Sequence, residues 1–284
     1  MELTILGSGG ATTIPRPGCN CRICTEARIK GIPYTRSGPS MFIKEGSVLF
    51  DTPEEIAGQL NRERIEAIDY IFYTHWHPDH TFGMRIAERM YKFWLDIGVR
   101  GNKPKNKVRV CAIREVMEDL RSMGSRRGPF FTYYERSDLI EPVELEDEEE
   151  FEIGRLSVTP FKVRTTYCSS TIFLIQEKSK RVVYAPCDVK PFSESSQLKS
   201  LDLLIIGSFH LEGPLKEGIV IPPENALRSE LFSPTEIKEL ATRLKAKKTI
   251  VTHIEEEWGK SYDEYRNLEE PNLLYAYDGM RMRI

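Results

Sequence analysis

One short segment of the chain concentrates groups that can bind a metal ion. Residues 74–80 read THWHPDH, so three imidazoles and one carboxylate lie within six positions. The whole chain of 284 residues contains only five histidines, and three of them are here. Clustered imidazoles repel one another when protonated and are costly to bury, and a divalent cation relieves both problems. We therefore predict a metal site built on His75, His77, Asp79 and His80.

A second group of candidate ligands lies near the start of the chain. Cys19, Cys21 and Cys24 fall in a loop at 15–27 that is rich in proline and glycine. Six cysteines in 284 residues are too few for a disulfide scaffold. Thiolates at such short spacing suit one tetrahedral zinc ion that fixes the loop. We predict a structural zinc here.

Short β-type runs alternate with helical stretches and must position both groups. Strands are predicted at 3–6, 41–44, 48–51, 70–74, 108–112, 156–163, 171–176, 181–185, 203–206 and 249–252. The histidine segment directly follows one of these strands. Many of the predicted strands form hairpin-like pairs, which argues against a simple doubly wound parallel sheet. Ser233 begins a capping box that predicts a helix to about Lys245, and helical spacing of apolar residues extends over 82–94.

Composition and charge narrow the class of protein. Lys and Arg total 40 against 43 Asp and Glu, a net charge of −3, which excludes an overall basic protein that coats nucleic acid. We read the basic stretch 100–127 and the acidic stretch 141–152 as solvated surface. No apolar run approaches the ~20 residues of a membrane helix. The first residues do not form a signal peptide, so we expect a cytoplasmic protein without a membrane partner. No repeat or linker divides the chain, and we predict one domain over 1–284.

The histidine segment has the pattern His-x-His-x-Asp-His and resembles the motif of the metallo-β-lactamase superfamily. Three more segments are similar to that family: VLFDT at 48–52, YAPCD at 184–188 and IVTH at 250–253. The resemblance implies an α/β fold of the four-layer αβ/βα sandwich type, with metals at one edge. It also implies which residues bind them. The first metal would take His75 and His77, the second Asp79, His80 and His253, with Asp188 bridging both and Asp51 orienting a ligand histidine.

Three further segments are similar to the phosphoribosyl cyclic phosphodiesterase branch of that family: GSGG at 7–10, CNCRIC at 19–24 and YDGM at 277–280. This branch implies a two-metal centre of zinc, with manganese or iron as alternatives, and a separate structural zinc. Two cations ~4 Å apart would share a hydroxide that attacks phosphorus. In the relatives a histidine is the fourth ligand of the structural zinc, and here that position is Glu256.

One position departs from the family pattern. The third histidine of the first metal is replaced by Thr165. Three outcomes are open: a weak site completed by water, a thiolate from Cys168, or a contribution from His210. The relatives carry a histidine at the position of His210 beside the metals, where it can protonate the leaving oxygen. We predict His210 and Asp79 as catalytic residues.

The predicted function is hydrolysis of phosphodiester bonds in a small nucleotide-like or sugar cyclic phosphate, by a homodimer. The first alternative is an RNA- or DNA-cleaving nuclease of the tRNA 3′-processing type, which the basic stretch would favour. The second is an oxidative metalloenzyme, because the cysteine loop also resembles the pyrroloquinoline quinone biosynthesis branch. A non-catalytic metal-binding scaffold is a further alternative because of Thr165.

Overall fold

The computed structural model describes residues 1–165 and 168–284, which form two seven-stranded sheets and a separate two-stranded hairpin. The strands are β1 Glu2–Gly7, β2 Ser40–Ile43, β3 Val48–Phe50, β4 Tyr70–Phe72, β5 Val108–Ile113, β6 Gly124–Ser125, β7 Gly128–Pro129, β8 Ile140–Leu145, β9 Phe151–Ile153, β10 Leu156–Arg164, β11 Ser169–Glu177, β12 Lys180–Ala185, β13 Leu203–Ile206, β14 Thr249–Val251, β15 Leu273–Tyr275 and β16 Met280–Arg283.

The helices are α1 Arg22–Lys30, α2 Ile56–Glu63, α3 Pro78–Thr81, α4 Ile86–Tyr91, α5 Trp94–Arg100, α6 Arg114–Ser122, α7 Phe130–Arg136, α8 Leu227–Glu230, α9 Pro234–Arg243 and α10 Tyr262–Arg266. Short 3₁₀ helices cover Ser196–Leu198, Lys216–Gly218 and Glu256–Trp258.

The two sheets have the same plan. The first has the order β16-β1-β2-β3-β4-β5-β8 and the second β15-β14-β13-β12-β11-β10-β9. In the first sheet β3, β4, β5 and β8 are parallel, and in the second β12, β13, β14 and β15 are parallel. The other strands of each sheet pair antiparallel. The carboxyl ends of parallel strands are where α/β sheets place their ligands.

The second sheet is buried on both faces, which explains its continuous apolar strands. In β13, Leu203 and Ile205 pack into the core between the two sheets, whereas Leu204 and Ile206 pack into a second core on the other face. Ile237 and Leu240 of α9 lie in that second core. Helices α2, α6 and α7 contribute buried side chains to the core of the first sheet. The predicted αβ/βα sandwich is confirmed.

All ten predicted strands are present, and the capping box at Ser233 begins α9 as predicted. The helix predicted over 82–94 is present only over α4. The chain forms α4 and then a separate α5, because Lys92 and Phe93 are extended and break the helix. The acidic stretch 141–152 supplies β8 and β9, the outermost strands of the two sheets. Charged side chains on edge strands discourage pairing with other molecules. Among the described residues, no helix combines the length and apolarity needed to cross a bilayer.

Candidate metal centre

The histidine segment and two other chain segments meet where parallel strands end. His75 to His80 follow β4, Asp188 follows β12 and His253 follows β14. Their ligand atoms form two compact groups, each with all atoms within 4.8 Å of one another. We refer to these residues together as the histidine–aspartate cluster: His75, His77, Asp79, His80, Asp188 and His253.

The first group contains His75, His77 and Asp188. The Nε2 atom of His75 lies 3.0 Å from Nδ1 of His77. Asp188 Oδ2 lies 3.3 Å from the same His75 atom and 3.2 Å from His77 Nδ1. Two nitrogens and one oxygen therefore converge on a single point.

The second group contains Asp79, His80 and His253. The Nε2 atoms of His80 and His253 are 3.3 Å apart. Asp79 Oδ2 lies 3.5 Å from Nε2 of His80 and 3.3 Å from Nε2 of His253. No described contact joins Asp188 to this group, so its bridging role stays a prediction.

Three ligand histidines are held from behind through their other ring nitrogen. Thr74 Oγ1 lies 2.9 Å from Nδ1 of His75. Asp51 Oδ2 lies 2.9 Å from Nδ1 of His80, in the orienting position that the family resemblance implies. This arrangement is typical of histidines that bind metals, because a partner at one nitrogen fixes the tautomer and turns the other lone pair toward the ion.

Glu255 holds the other ring nitrogen of His253 in the same way, and it was not identified from the sequence. Its Oε1 lies 3.3 Å from Nδ1 of His253. The same carboxylate accepts hydrogen bonds from the backbone of Ala11 and Thr12, at 3.1 and 2.7 Å. A Cβ at Gly10 would overlap both the Glu255 carboxylate and the His253 ring, so glycine is required there. The signal in the sequence was the position of Glu255, two residues after the last histidine.

The charges of the cluster suit a cation. The hydrogen bond that His77 donates to the Asp188 carboxylate raises the pKa of His77 to about 9. Burial lowers the pKa of His80, but the carboxylates of Asp79 and Asp51 outweigh it and raise the value to about 10. Burial raises the pKa of Asp79, yet the neighbouring imidazoles His80 and His253 hold it well below its usual range. An environment that stabilises positive charge on imidazole also favours a divalent ion, and the residues fit one.

Of the twelve described non-glycine residues with a positive φ, four lie at the same strand ends. Asp51, Asp188, Ser208 and His253 have φ values of 58°, 52°, 50° and 58°, in the left-handed region that side chains rarely adopt. Each residue follows β3, β12, β13 or β14 closely. Such conformations cost about 1–3 kcal/mol each and persist where the surrounding structure fixes them, often at functional sites.

Two cysteines lie beside the cluster. Cys187 immediately precedes Asp188, and its Sγ lies within 4.8 Å of ligand nitrogens of His75 and His80. Burial raises the pKa of this thiol, but the charge of His253 and hydrogen bonds from the surrounding histidines hold it well below its usual value. Cys168, one of the predicted alternatives, has its Sγ 3.6 Å from Asp188 Oδ2. Burial and the Asp188 charge raise its pKa to about 12, so Cys168 is a neutral thiol that donates to the carboxylate.

Thr165 occupies the position of the missing histidine. Its hydroxyl lies 3.1 Å from both the carbonyl oxygen and the amide nitrogen of Cys168. This side chain therefore links the residue that follows β10 to the residue that precedes β11.

His210 is buried, with its Nδ1 3.1 Å from the carbonyl oxygen of Leu211. It belongs to neither ligand group among the described residues. Two residues earlier, Ser208 lines the cavity at the cluster, and its buried hydroxyl has no hydrogen-bond partner among the described residues. A catalytic role for His210 stays a prediction, and Ser208 is a donor that the sequence did not reveal.

The cavity at the cluster has a volume of about 300 Å³. His77, Asp79, Asp188 and His253 line it. A second cavity of about 440 Å³ is lined by Arg16 and the apolar residues of 215–231. The two cavities share Leu231, Glu257 and Trp258, so they are neighbours.

The predicted cysteine loop forms a separate site, which we call the cysteine cluster: Cys19, Cys21, Cys24 and Glu256. Glu256 Oε1 lies 3.5, 3.1 and 3.3 Å from the three sulfur atoms in that order. The structure thus brings the suggested fourth ligand to the three thiols. Cys21 directly precedes helix α1, and Cys24 lies in its first turn.

Lys216 covers the cysteine cluster and was not identified from the sequence. Its Nζ lies 2.6 and 2.9 Å from the Glu256 oxygens and 3.3 Å from Cys19 Sγ. Burial raises the pKa of Glu256, but Lys216 and the thiols reverse this and lower it to about 2. Burial raises the pKa of Cys24 to about 12 in the absence of a metal. A zinc ion would have to displace that proton, because only thiolates bind it well.

Solved structures of known proteins share this fold. A diphosphatase of the PhnP family superposes with a TM-score of 0.73 at 23% identity, covering 100% of this chain and 97% of that protein. Zinc-bound PqqB from Methylobacterium extorquens gives 0.71 at 16% identity, with 100% of both chains covered. The short form of human tRNase Z gives 0.63 at 18% identity, covering 100% of this chain and 99% of that one.

Comparison of sequences gives the family. An octanoyltransferase of Porphyromonas gingivalis (strain ATCC BAA-308 / W83) is 24% identical over 167 residues, which is 57% of this chain. The matched part is only 30% of the octanoyltransferase, so the chain corresponds to less than a third of that protein. The family model of the beta-lactamase superfamily domain matches residues 47–254, which contain the whole histidine–aspartate cluster. The chain belongs to the beta-lactamase superfamily.

Proposed function

We propose that this chain is a metal-dependent hydrolase that cleaves phosphodiester bonds in a small nucleotide-like or sugar cyclic phosphate. The observation that carries the proposal is the placement of two ligand groups at the wall of one cavity of about 300 Å³. Two divalent cations bound side by side lower the pKa of water and neutralise the oxygens of a phosphoryl group. Zinc suits these nitrogen and oxygen ligands, and manganese or iron is the alternative.

The chain's own residues would hold and orient the substrate. The cavity is small, which favours a compact phosphodiester over a polymer. Ser208 offers a hydroxyl at the cavity wall that no described residue engages. The neighbouring apolar cavity, reached past Leu231 and Trp258, would take the part of the substrate that does not react.

The charge distribution also favours a small substrate over RNA. The basic stretch that would bind a polynucleotide is paired with acidic side chains. Lys107 lies 2.8 Å from Asp138, and Arg121 lies 3.0 Å from Glu144. Exposed pairs of this kind are weak, but they reduce the net positive charge that phosphate groups would meet.

The names of proteins with the same fold are compatible with this proposal. The PhnP-family protein is a diphosphatase. Cleavage of a diphosphate and of a phosphodiester both break a bond to phosphorus, so a diphosphate belongs among the test substrates. The superposition itself supports the fold alone.

The test is hydrolysis by the protein after removal of metals and reconstitution with zinc or manganese. The substrates are a cyclic nucleotide, a sugar cyclic phosphate, an aryl phosphodiester, a diphosphate and a tRNA precursor with a 3′ extension. We expect turnover of a cyclic phosphate and the aryl phosphodiester, dependent on added metal. Selective cleavage of the tRNA precursor would contradict the proposal and favour the nuclease alternative. Oxygen consumption with iron and no hydrolysis would favour the oxidative one.

A further inference from the structure

Cys187 lies between the two ligand groups. It follows β12 and stands one residue before Asp188, and its Sγ is within 4.8 Å of ligand nitrogens of His75 and His80. His75 belongs to the first group and His80 to the second. The sulfur is therefore at the boundary of the two candidate metal positions, and Cys187 also lines the cavity.

The position between the groups is the one that a bridging carboxylate was expected to occupy. Asp188 instead contacts His75 and His77, both of the first group. Cys187 is a candidate metal-binding side chain that lies within 4.8 Å of a histidine from each group, His75 and His80. Its histidine neighbours extend to His253 of the second group.

The first group is also one protein ligand short. Thr165 stands where the family pattern has a histidine, and its hydroxyl is engaged by the backbone of Cys168. Cys168 itself approaches Asp188 but forms part of no ligand group among the described residues. A sulfur at Cys187 would bring the first group from three protein ligands to four, the number that zinc usually takes.

We propose that the Cys187 thiolate is a metal ligand shared by the two groups, completing the first site and linking it to the second. This rests on the metal centre of the proposed function. Soft thiolate favours zinc or iron over magnesium and calcium, which prefer oxygen. With Asp79 and Asp188, the thiolate supplies three negative charges against two divalent cations.

Alkylation of the unaltered protein gives the first test. The metal-free and the zinc-loaded forms are treated with iodoacetamide, and tryptic peptides are quantified by mass spectrometry. Lys178, Lys180 and Arg181 separate Cys168 from Cys187, so the two thiols fall in different peptides. We expect zinc to abolish labelling of Cys187, because a metal-bound thiolate is not free to react. Equal labelling of Cys187 with and without two bound zinc ions would overturn the proposal.

Cobalt(II) spectroscopy separates ligation from simple shielding. The protein carries Ser at positions 19, 21 and 24 so that the cysteine cluster adds no sulfur signal. In this background we expect a sulfur-to-cobalt charge-transfer band in the near ultraviolet. It should be lost in Cys187→Ser and retained in the matched control Cys168→Ser. Loss in the Cys168→Ser protein alone would assign the ligand to Cys168 and refute our proposal.

Metal stoichiometry distinguishes failure of this inference from failure of the proposed function. If cobalt fills the histidine–aspartate cluster and no band depends on Cys187, only the thiolate proposal fails. If the cluster takes up no metal at all, both fail. Should the triple serine background not fold, the alkylation experiment on the unaltered protein decides.

Discussion

The histidine–aspartate cluster and the cysteine cluster are completed by one short segment, yet they are built for different purposes. His253 and Glu256 are only three residues apart after β14, and each supplies a ligand atom to a different cluster. At the first cluster the ligands are nitrogen and oxygen atoms on the wall of a cavity, and the His77 and Asp188 side chains are 31% and 25% exposed. At the second, three thiols surround a fully buried carboxylate that Lys216 covers.

The comparison shows how ligand type and solvent access differ between the two candidate metal sites. Four protein ligands in a closed site leave no position for a substrate, and such zinc sites stabilise the fold. An open group with fewer protein ligands keeps positions for water and substrate. The segment from His253 to Glu256 would couple the two candidate sites, because it supplies a potential ligand to each.

The largest effect is expected from loss of His253, the last histidine of the second group. His253→Ala removes one of three ligands of the second group and leaves the Glu255 carboxylate unpaired at that point. We expect loss of that metal and of essentially all phosphodiester hydrolysis, with the cysteine-cluster metal retained. Metal content by elemental analysis and turnover of an aryl phosphodiester measure this. Full activity with full metal content would show that His253 is not a ligand.

A smaller and more selective effect is expected at His210. If its imidazole protonates the leaving oxygen, His210→Ala should slow substrates with poor leaving groups by about a hundred- to ten-thousand-fold. An activated aryl phosphodiester, whose leaving group needs no proton, should lose much less. Metal content should not change.

Ser208→Ala is the companion variant, because Ser208 is the donor at the cavity wall. An equal loss on both substrates in His210→Ala would point to phosphate binding in place of proton transfer. Loss of a metal in that variant would make His210 a ligand.

A substitution in the cysteine cluster should lower the stability of the fold and leave the other cluster able to bind metal, the opposite of the effect expected for His253→Ala. We expect Cys21→Ser to release one zinc ion and to lower the free energy of unfolding markedly, because structural zinc contributes directly to folding. The histidine–aspartate cluster should still bind its metals. Elemental analysis and chemical denaturation measure the two effects. A Cys21→Ser protein with unchanged zinc content and stability would disprove the structural site.

The smallest effect concerns the carboxylate behind His253. Glu255→Gln weakens the partner that fixes the His253 ring, and such changes typically cost about 10–100-fold in metal affinity. Competition with a chelator measures this affinity. Glu257→Gln is the matched control, because Glu257 lies on the same segment and, within the described parts of the chain, forms its ion pair with Arg16. Equal affinities for the two variants would mean that Glu255 serves only to hold Ala11 and Thr12.

Most of the fold could be predicted because the buried strands are visible in the sequence as short apolar runs. Strands such as β13 are apolar on both faces and stand out from their surroundings. Strand β8, one of the strands that were not predicted, lies at a sheet edge inside the acidic stretch. Exposed charged residues there hide any alternation of apolar and polar positions. Helix α5 has no buried residue, so nothing in its pattern could separate it from α4. The spacing of apolar residues shows which face of an element is buried. An element with no buried face has no such spacing and could not be predicted in this way.

The candidate site was predictable where its residues are adjacent in sequence. His75 to His80 form one motif. Cys187 could be recognised only when the structure brought the residues after β12 close to the residues after β4. Its one signal was adjacency to Asp188. Lys216 could not be assigned because it acts through contacts between distant segments. Glu255 lies only two residues after His253, but this spacing alone does not show that its carboxylate faces the His253 ring. The residues that contact metal ligands from behind are brought into place by tertiary packing, which the spacing of residues along the chain does not reveal.

The most direct test of the two-site account is anomalous diffraction at the zinc edge from crystals of the zinc-reconstituted protein. The account predicts three peaks. Two should lie ~4 Å apart within the histidine–aspartate cluster, as in other two-metal sites. The third should lie alone among Cys19, Cys21, Cys24 and Glu256. A single peak at the cysteine cluster, with none between His75 and His253, would contradict the account.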